Sequence, residues 1–148
     1  MSPTREQILE TAKLFLQSFN EFSEVEIVRY CSPNCRIRLL PASLKQPVQG
    51  PPYLSAMVKM IQAQASAFRL SIIEGEEPAV DVVTRKVTMH LESYSEMKAG
   101  VYQNEYIWIV TVSEDGKTVD DLIEFADSAY TAEWLPKILA AAQPAPQA

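Results

Sequence analysis

Tyrosine, asparagine and tryptophan recur at alternate positions in a β-rich segment that spans residues 100–112. Tyr102, Asn104, Tyr106 and Trp108 would share one face of a strand, because successive side chains of a strand point to opposite sides. Large aromatic walls with polar tips suit a small-molecule pocket. The same residues could instead be ordinary core residues whose polar ends reach the rim of the sheet. We favour the pocket interpretation.

One carboxylate lies inside an apolar run. Glu124 is flanked by Leu122 and Ile123 on one side and by Phe125 and Ala126 on the other. Burying a carboxylate without a partner is costly and raises its pKa, which is how a carboxyl group becomes an acid or base near neutral pH. The alternative is an outward-facing Glu124 that pairs with a strand lysine or arginine. Alternation alone does not decide between the two.

Two arginines share a face of an earlier predicted strand. Residues 35–40 alternate, with apolar side chains at odd positions and Arg36 and Arg38 on the other face. Such a face is usually solvated or paired with carboxylates across the sheet. An arginine inside an apolar pocket would need a carboxylate or an anionic ligand group as its partner. We favour Arg38 paired with Glu124 or holding a substrate carbonyl, with Arg36 as the alternative.

The remaining candidates would contact a substrate. They are Trp108, Asn104, His90, Met57 and Phe125. His90 shares its strand face with charged and hydroxyl-bearing side chains, which favours a solvent-facing or interfacial position. Met57 would fill the core or, as a flexible thioether, line a pocket that adapts to its ligand.

Composition limits the classes of function that are open to this chain. Its 148 residues suit one domain, its hydrophobic (47%) and charged (22%) fractions are ordinary for a globular protein, and its net charge is −6. The acidic balance argues against binding nucleic acid or an anionic membrane, since both require a basic face. The sequence has no apolar run near the roughly 20 residues of a membrane-spanning helix and no secretory signal, so we expect a cytoplasmic protein.

The sequence carries no motif for a cofactor or a metal. One histidine and two cysteines offer little material for a zinc site, and neither a phosphate-binding glycine loop nor a G-x-S-x-G elbow occurs. We therefore predict no cofactor and no metal. Cys31 and Cys35 are expected to be reduced thiols rather than a disulfide, as is usual in the cytosol.

Hydrophobic periodicity and turn residues divide the chain into helices and strands. The predicted helices are 4–22, 24–30, 52–68 and 130–142. The predicted strands are 35–40, 70–76, 86–97, 100–112 and 118–127. Thr4 is the expected cap of the first helix, with Gln7 completing a capping box. Residues 1–142 are predicted to form a single domain, and the proline-rich tail 143–148 is predicted to be disordered.

These elements predict an α+β fold. The last four strands should form an antiparallel meander, with Asp115 and Gly116 turning the final hairpin. Two of the strands, 86–97 and 100–112, are so long that a twisted sheet built from them would have to curl. We therefore expect a curved antiparallel sheet wrapped around the helices, a half-barrel with a hollow at its wide end.

Three segments resemble a known family. They are Gly100 to Ile109 (GVYQNEYIWI), Gly116-Lys117, and Ile123 to Ser128 (IEFADS). They resemble the SnoaL-like proteins of fungi, a branch of the nuclear transport factor 2-like superfamily, and the resemblance extends over about residues 4 to 140. It implies a cone-shaped α+β barrel with a hydrophobic pocket, usually dimeric through the outer face of its sheet. It also implies cofactor-independent chemistry on polyketide, meroterpenoid or indole-alkaloid intermediates.

The resemblance further implies a catalytic set and a reaction. Arg38, Tyr102, Tyr106 and Glu124 match the polar residues of an alkaloid-processing member of the family. A semipinacol-type rearrangement or a cyclisation of a hydrophobic alkaloid intermediate by a homodimeric isomerase is then expected. Glu124 would move a proton, the tyrosines would donate hydrogen bonds, and Arg38 would polarise a carbonyl or imine. The alternatives are a polyketide or meroterpenoid isomerase or dehydratase, and a non-catalytic dimer that binds small molecules.

Overall fold

The computed structural model describes residues 1–141 and divides them into three α-helices, six strands and short 3₁₀ turns. The helices are α1 (Arg5–Ser18), α2 (Pro51–Gln62) and α3 (Ser128–Ala141). The strands are β1 (Cys31–Leu40), β2 (Arg69–Ile72), β3 (Ala79–Asp81), β4 (Lys86–Met97), β5 (Gly100–Val112) and β6 (Val119–Ala126). The order confirms the predicted α+β fold, with the short β3 as an addition. The tail 143–148, predicted to be disordered, lies outside the described residues.

Helix α1 begins at its predicted cap. Thr4 Oγ1 accepts a hydrogen bond from the Gln7 backbone N–H at 3.2 Å, and the Gln7 side-chain oxygen accepts from the Thr4 backbone N–H at 2.8 Å. The helix ends at Ser18, short of the predicted boundary at residue 22, and a 3₁₀ turn takes over from there. None of the helices within residues 1–141 is long and apolar enough to cross a bilayer.

The helix predicted over 24–30 is wrong. Only one 3₁₀ turn, Glu26–Val28, forms there. Just before the turn, the Ser23 hydroxyl accepts hydrogen bonds from the backbone N–H groups of Val25 and Glu26 at 3.2 and 3.1 Å. The segment is too short to sustain an α-helix, since the chain must enter β1 at Cys31.

The sheet is built on the predicted antiparallel meander. Strands β2, β4, β5 and β6 pair in that spatial order, and β1 joins the outer edge of β6. The β1–β6 pair is parallel, so the sheet is mixed rather than antiparallel throughout. Gly116, with φ at +77°, turns the β5–β6 hairpin where the sequence predicts it. A Cβ at this position would lie 2.7 Å from Pro3, which is too close for any other residue.

Strand β1 is longer than its alternating pattern indicates. It starts at Cys31 rather than Cys35, and its register with β6 shifts between Cys31 and Arg36. The Cys-Ser-Pro-Asn segment that resembles a turn is therefore an irregular strand opening. Cys31 and Cys35 are both free thiols.

The inner face of the sheet carries two clusters of buried side chains. At one end, Phe15 and Phe19 pack on Trp108 with ring centroids 5.5 and 4.9 Å from it. At the other end, Tyr102 packs on Trp134 of α3 with centroids 5.3 Å apart. Residues of both clusters line the cavity described below.

A side chain holds the edge strand β2. Asn20 Nδ2 donates to the Leu70 carbonyl at 2.8 Å, and Asn20 Oδ1 accepts from the Leu70 N–H at 2.7 Å. This two-way contact imitates one rung of a β-ladder and satisfies backbone groups that an edge strand leaves open. Because Leu70 lines the cavity, the contact also fixes part of the cavity wall.

Replacing Asn20 by alanine should destabilise the protein by about 2 kcal/mol, because both backbone groups of Leu70 lose their partner. Urea denaturation measures the free energy of unfolding. Glu10→Ala, on the exposed face of α1, is the matched control and should change this free energy by less than about 0.5 kcal/mol. Equal effects of the two substitutions would contradict this role of Asn20.

Candidate active site

A cavity of about 100 Å³ lies between the inner face of the sheet and helices α2 and α3. Its walls are mostly apolar, with Met57 and Met60 contributed by α2 and Leu135 and Ile138 by α3. The volume is below the roughly 300 Å³ at which small-molecule sites begin. A guest larger than a few water molecules therefore requires wall side chains, above all the flexible methionines, to move aside.

Polar groups enter this apolar wall from the sheet and from both helices. They are Tyr53, Tyr102, Asn104, Tyr106, Glu124 and Thr131. Strand alternation places the members from β5 and β6 on the inner face, since even-numbered residues of both strands point inward. The site thus combines one carboxyl group, three phenols, an amide and an aliphatic hydroxyl.

Most of these polar groups form one buried hydrogen-bonded chain. Tyr106 Oη lies 2.8 Å from Ser93 Oγ and 3.0 Å from Tyr102 Oη. Asn104 Nδ2 donates to Tyr102 Oη at 2.9 Å and to Thr131 Oγ1 at 3.0 Å. This series of hydrogen bonds therefore runs from β4 across β5 to α3, and the two phenols form its centre.

Glu124 lies between two strands and faces inward. Its register partners are Leu39 on β1 and Trp108 on β5. Burial raises the pKa of Glu124 to about 7, and the nearby indole N–H of Trp108 offsets part of the rise. That N–H has no hydrogen-bonded partner within the described residues, so its effect on the carboxyl is electrostatic rather than a formed bond.

The phenols are proton donors at neutral pH. Burial raises the pKa of Tyr102 to about 12 and that of Tyr53 to about 12, and it raises the pKa of Tyr106 well above its ordinary value. Glu124, by contrast, is partly ionised near neutrality. A carboxylate that accepts a proton and phenols that donate one therefore line a single cavity, which is the equipment of general acid–base chemistry.

Five of the residues singled out in the sequence meet in this cavity. They are Met57, Tyr102, Asn104, Tyr106 and Glu124. The structure adds Tyr53 and Thr131 to the cavity wall and Ser93 to the hydrogen-bonded chain behind it, all of which sequence reasoning missed. Tyr53 precedes Met57 by one helical turn, so the face of α2 could have indicated it. No local signal marks Ser93 or Thr131, because small hydroxyl residues occur throughout strands and helices.

The predicted pairing of Arg38 with Glu124 is wrong. Arg38 Nη2 binds the Asp121 carboxylate at 3.0 Å, and Arg36 Nε binds the same group at 3.2 Å. The inner face of β1 carries Ile37 and Leu39, so both arginines point outward. The alternative that Arg36 faces the pocket fails for the same reason.

Three predicted substrate contacts also lie outside the cavity wall. His90 faces outward and contacts Glu105 and Glu76, the latter at 3.4 Å. Phe125 is 49% exposed on the outer face, because it alternates with Glu124. Trp108 has the predicted inward direction but is packed into the core beneath α1, where a substrate does not reach it. Trp108 instead lies beside Glu124 in register and lowers the pKa of that carboxyl group.

Within residues 1–141, no three histidine, cysteine or acidic side chains converge as metal ligands would. No protein-family model matches the chain. It is 36% identical over 139 residues to austinoid biosynthesis clusters protein H of Penicillium brasilianum, an alignment that covers 93% of this chain and 95% of that protein. The chain belongs to the family of the austinoid biosynthesis cluster proteins.

Solved structures related to this family agree with the fold. The crystal structure of the pinacolase BvnE from Penicillium brevicompactum has a TM-score of 0.87 and 36% identity, covering 95% of this chain and 100% of that one. A SnoaL-like protein from Shewanella denitrificans has a TM-score of 0.69 at 9% identity, covering 88% and 97%. The second comparison shows the fold alone. The relatives are fungal biosynthesis proteins and the fold is SnoaL-like, which confirms the predicted resemblance.

The raised pKa of Glu124 predicts how the stability of this family member depends on pH. The folded state keeps the Glu124 proton up to about pH 7, whereas an ordinary glutamate loses it near 4.5. Between these values the folded state binds more protons than the unfolded state, so stability falls as pH rises. Relative to Glu124→Gln, the wild-type free energy of unfolding should fall by about 3 kcal/mol across this interval.

Urea denaturation at several pH values measures this difference. Glu10→Gln, on the exposed face of α1, is the matched control and should follow the wild type at every pH. A constant difference between wild type and Glu124→Gln across the interval would contradict the inward, uncompensated position of Glu124.

Proposed function

We propose that this protein is a cofactor-independent isomerase of fungal secondary metabolism. Its reaction would be a semipinacol-type rearrangement, or a cyclisation, of a hydrophobic alkaloid intermediate. One observation carries the proposal: Glu124 shares a mostly apolar cavity with protonated phenols and has a pKa of about 7. The 36% identity to the pinacolase BvnE along its entire length supports this class of reaction.

The proposed step needs no oxidant or cofactor, because its atoms and electrons balance within the substrate. In an indole oxidised to a 3-hydroxyindolenine, the Glu124 carboxylate takes the proton of the C3 hydroxyl. The C3 oxygen forms a carbonyl while the C3 substituent migrates to C2 with its electron pair. The electrons of the C2=N bond move to nitrogen, which takes a proton from the phenol pair. Glu124 then returns its proton to the phenolate.

The phenols would polarise the imine of the substrate, the role that the sequence analysis expected of Arg38. Tyr102 and Tyr106 lie in the cavity wall, whereas Arg38 is bound to Asp121 on the opposite face. A phenol can both donate a hydrogen bond to the imine nitrogen and supply the proton. The apolar walls would exclude water and hold one conformer of the substrate, which favours a single migration product.

The relationship to proteins of austinoid biosynthesis clusters favours a second candidate function. In that case the cavity would take a polycyclic austinoid-type intermediate, and Glu124 would move a proton between carbon atoms. The same acid–base residues serve both candidates. The substrate alone distinguishes them, so one panel of compounds can decide.

Racemic 3-benzyl-2-methyl-3-hydroxyindolenine is a suitable probe of the first candidate. Wild-type protein should convert it faster than buffer to 2-benzyl-2-methylindolin-3-one with an enantiomeric excess, as measured by chiral chromatography. Glu124→Gln should lower kcat/KM by about 10²–10³-fold, because the base is lost. The wild-type rate should rise with pH through about 7, as Glu124 ionises.

Two comparisons make this test decisive. Glu10→Gln, an exposed carboxylate on α1, should retain the wild-type rate and enantiomeric excess. A racemic product formed at the buffer rate would contradict the rearrangement. Binding of the probe without conversion, equal in wild type and Glu124→Gln, would favour the non-catalytic binding module.

We further propose that the protein works in the cytoplasm as a homodimer joined through the outer face of the sheet. Ile107 and Phe125 are cross-strand partners on that face and are 37% and 49% exposed. Val101, on the same strand as Ile107, is 50% exposed. Adjacent exposed apolar side chains of this kind are typical of an interface between subunits.

Ile107→Asp should shift the protein from dimer to monomer, because a charge would be buried between the two sheets. Size-exclusion chromatography with light scattering measures the mass. Val83→Asp, in an exposed turn, is the matched control and should leave the mass unchanged. A monomeric wild type at micromolar concentration would contradict the dimer.

A further inference from the structure

The Asn104 side chain makes hydrogen bonds to three residues of the site, two on β5 and one on α3. It is 5% exposed and lies on the inner face of β5, next to Tyr102 on that face. Its Oδ1 accepts from the backbone N–H of Glu105 at 2.8 Å, and both hydrogens of its Nδ2 go to hydroxyl groups, those of Tyr102 and Thr131. The hydrogen-bonding capacity of the Asn104 amide nitrogen is therefore fully used.

The backbone N–H of Glu105 decides which way the Asn104 amide points. An N–H group can only donate, so the atom facing it must be the amide oxygen Oδ1. The amide nitrogen must then face the two hydroxyl groups, and it can only donate to them. Tyr102 Oη is consequently an acceptor in its contact with Asn104.

The direction at the other end of the phenol pair is also determined. Ser93 Oγ accepts from the Asn104 backbone N–H at 3.3 Å, and Tyr106 Oη is its only acceptor within the described residues. A buried hydroxyl hydrogen without an acceptor is costly, so Ser93 donates to Tyr106. Each phenol oxygen thus accepts one bond from outside the pair. One phenol hydrogen joins the pair, and the other is left for the cavity.

We propose that Asn104 is a positioning residue that presents the Tyr102 proton to the cavity, with Tyr106 donating to Tyr102 from behind. This inference rests on the proposed function and deepens it, since it gives the two tyrosines different roles. Tyr102 Oη then accepts from both Asn104 and Tyr106, and both bonds stabilise the phenolate that remains after proton donation.

The nature of the outside donor favours Tyr102 over Tyr106 as the proton donor to the cavity. The Asn104 amide nitrogen can only donate to Tyr102 and is fixed by Thr131 and Glu105, whereas Ser93 meets Tyr106 through a hydroxyl group, which can also accept. The pKa shifts agree: hydrogen bonds from Tyr106 and Asn104 oppose the rise that burial causes for Tyr102, while for Tyr106 the Ser93 bond opposes the rise and the Tyr102 contact adds to it.

The same amide links Tyr102 to the helix that covers the cavity. Thr131 is 5% exposed near the start of α3, and Leu135 and Ile138 of that helix line the cavity. With α3 packed on the sheet, Thr131 and the Glu105 backbone N–H both hydrogen-bond to the Asn104 amide. The amide in turn fixes the position of the Tyr102 hydroxyl. The geometry of the proton donor therefore depends on the position of the cavity wall.

Double substitutions test the inference with the hydroxyindolenine probe. Asn104→Asp keeps the shape of the side chain and the acceptor for Glu105, but its second oxygen can only accept and withdraws the Tyr102 proton. It should lower kcat by about 10–100-fold with KM changed less than about threefold. Combined with Tyr102→Phe, it should add no further loss, whereas combined with Tyr106→Phe it should. Additive losses with Tyr102→Phe would overturn the proposal.

A measurement without turnover separates this inference from the proposed function. In protein labelled with 3-fluorotyrosine, the ¹⁹F signal that disappears in Tyr102→Phe identifies Tyr102. That signal should shift in Asn104→Asp and in Thr131→Val, which tests the same contact if the aspartate variant does not fold. It should stay in place in Thr11→Val, a control that removes a buried hydrogen bond to the Gly116 carbonyl beyond the far end of β5. An unshifted signal in both variants would overturn the role of Asn104, whether or not the probe is rearranged.

Discussion

An uncompensated carboxyl group on the inner face of the sheet sets the chemistry of this molecule. Leu39 and Trp108 flank Glu124 in register, and neither carries a charge. Burial is therefore the main influence on the carboxyl, only partly offset by the Trp108 indole, and the pKa rises to about 7. The penalty that weakens the fold also prepares a group that exchanges protons near neutrality.

The ion pairs and the cavity lie on opposite faces of the sheet. On the outer face, Asp121 binds Arg36 and Arg38, and His90 binds Glu105, so these charges satisfy one another in contact with solvent. Among residues 1–141, the ionisable side chains that line the cavity are one carboxyl group and three phenols, with no lysine, arginine or histidine among them. An arginine turned inward would hold Glu124 ionised and would remove the raised pKa on which the proposed base depends.

The cavity divides its tasks between sheet and helices. Strands carry the proposed acid and base groups, because a ladder fixes side chains at constant spacing and gives little freedom to their backbone. Helices α2 and α3 supply most of the apolar wall, in which Met57 and Met60 can adapt to different guests. A family with this arrangement can change substrate through its helices while it keeps its proton chemistry.

Local pattern was enough to predict the Thr4 cap, the Gly116 turn and the shared face of Tyr102, Asn104 and Tyr106, because caps, turns and strand alternation depend on neighbouring residues. Local pattern does not determine which face of a strand points toward the interior. Arg38 turns outward and Glu124 inward because β1 pairs with β6, more than 80 residues along the chain. The meeting of Thr131 with Asn104 likewise depends on where α3 packs. The sequence alone determined the residue types and periods, and only the tertiary contacts decided which of them share a cavity.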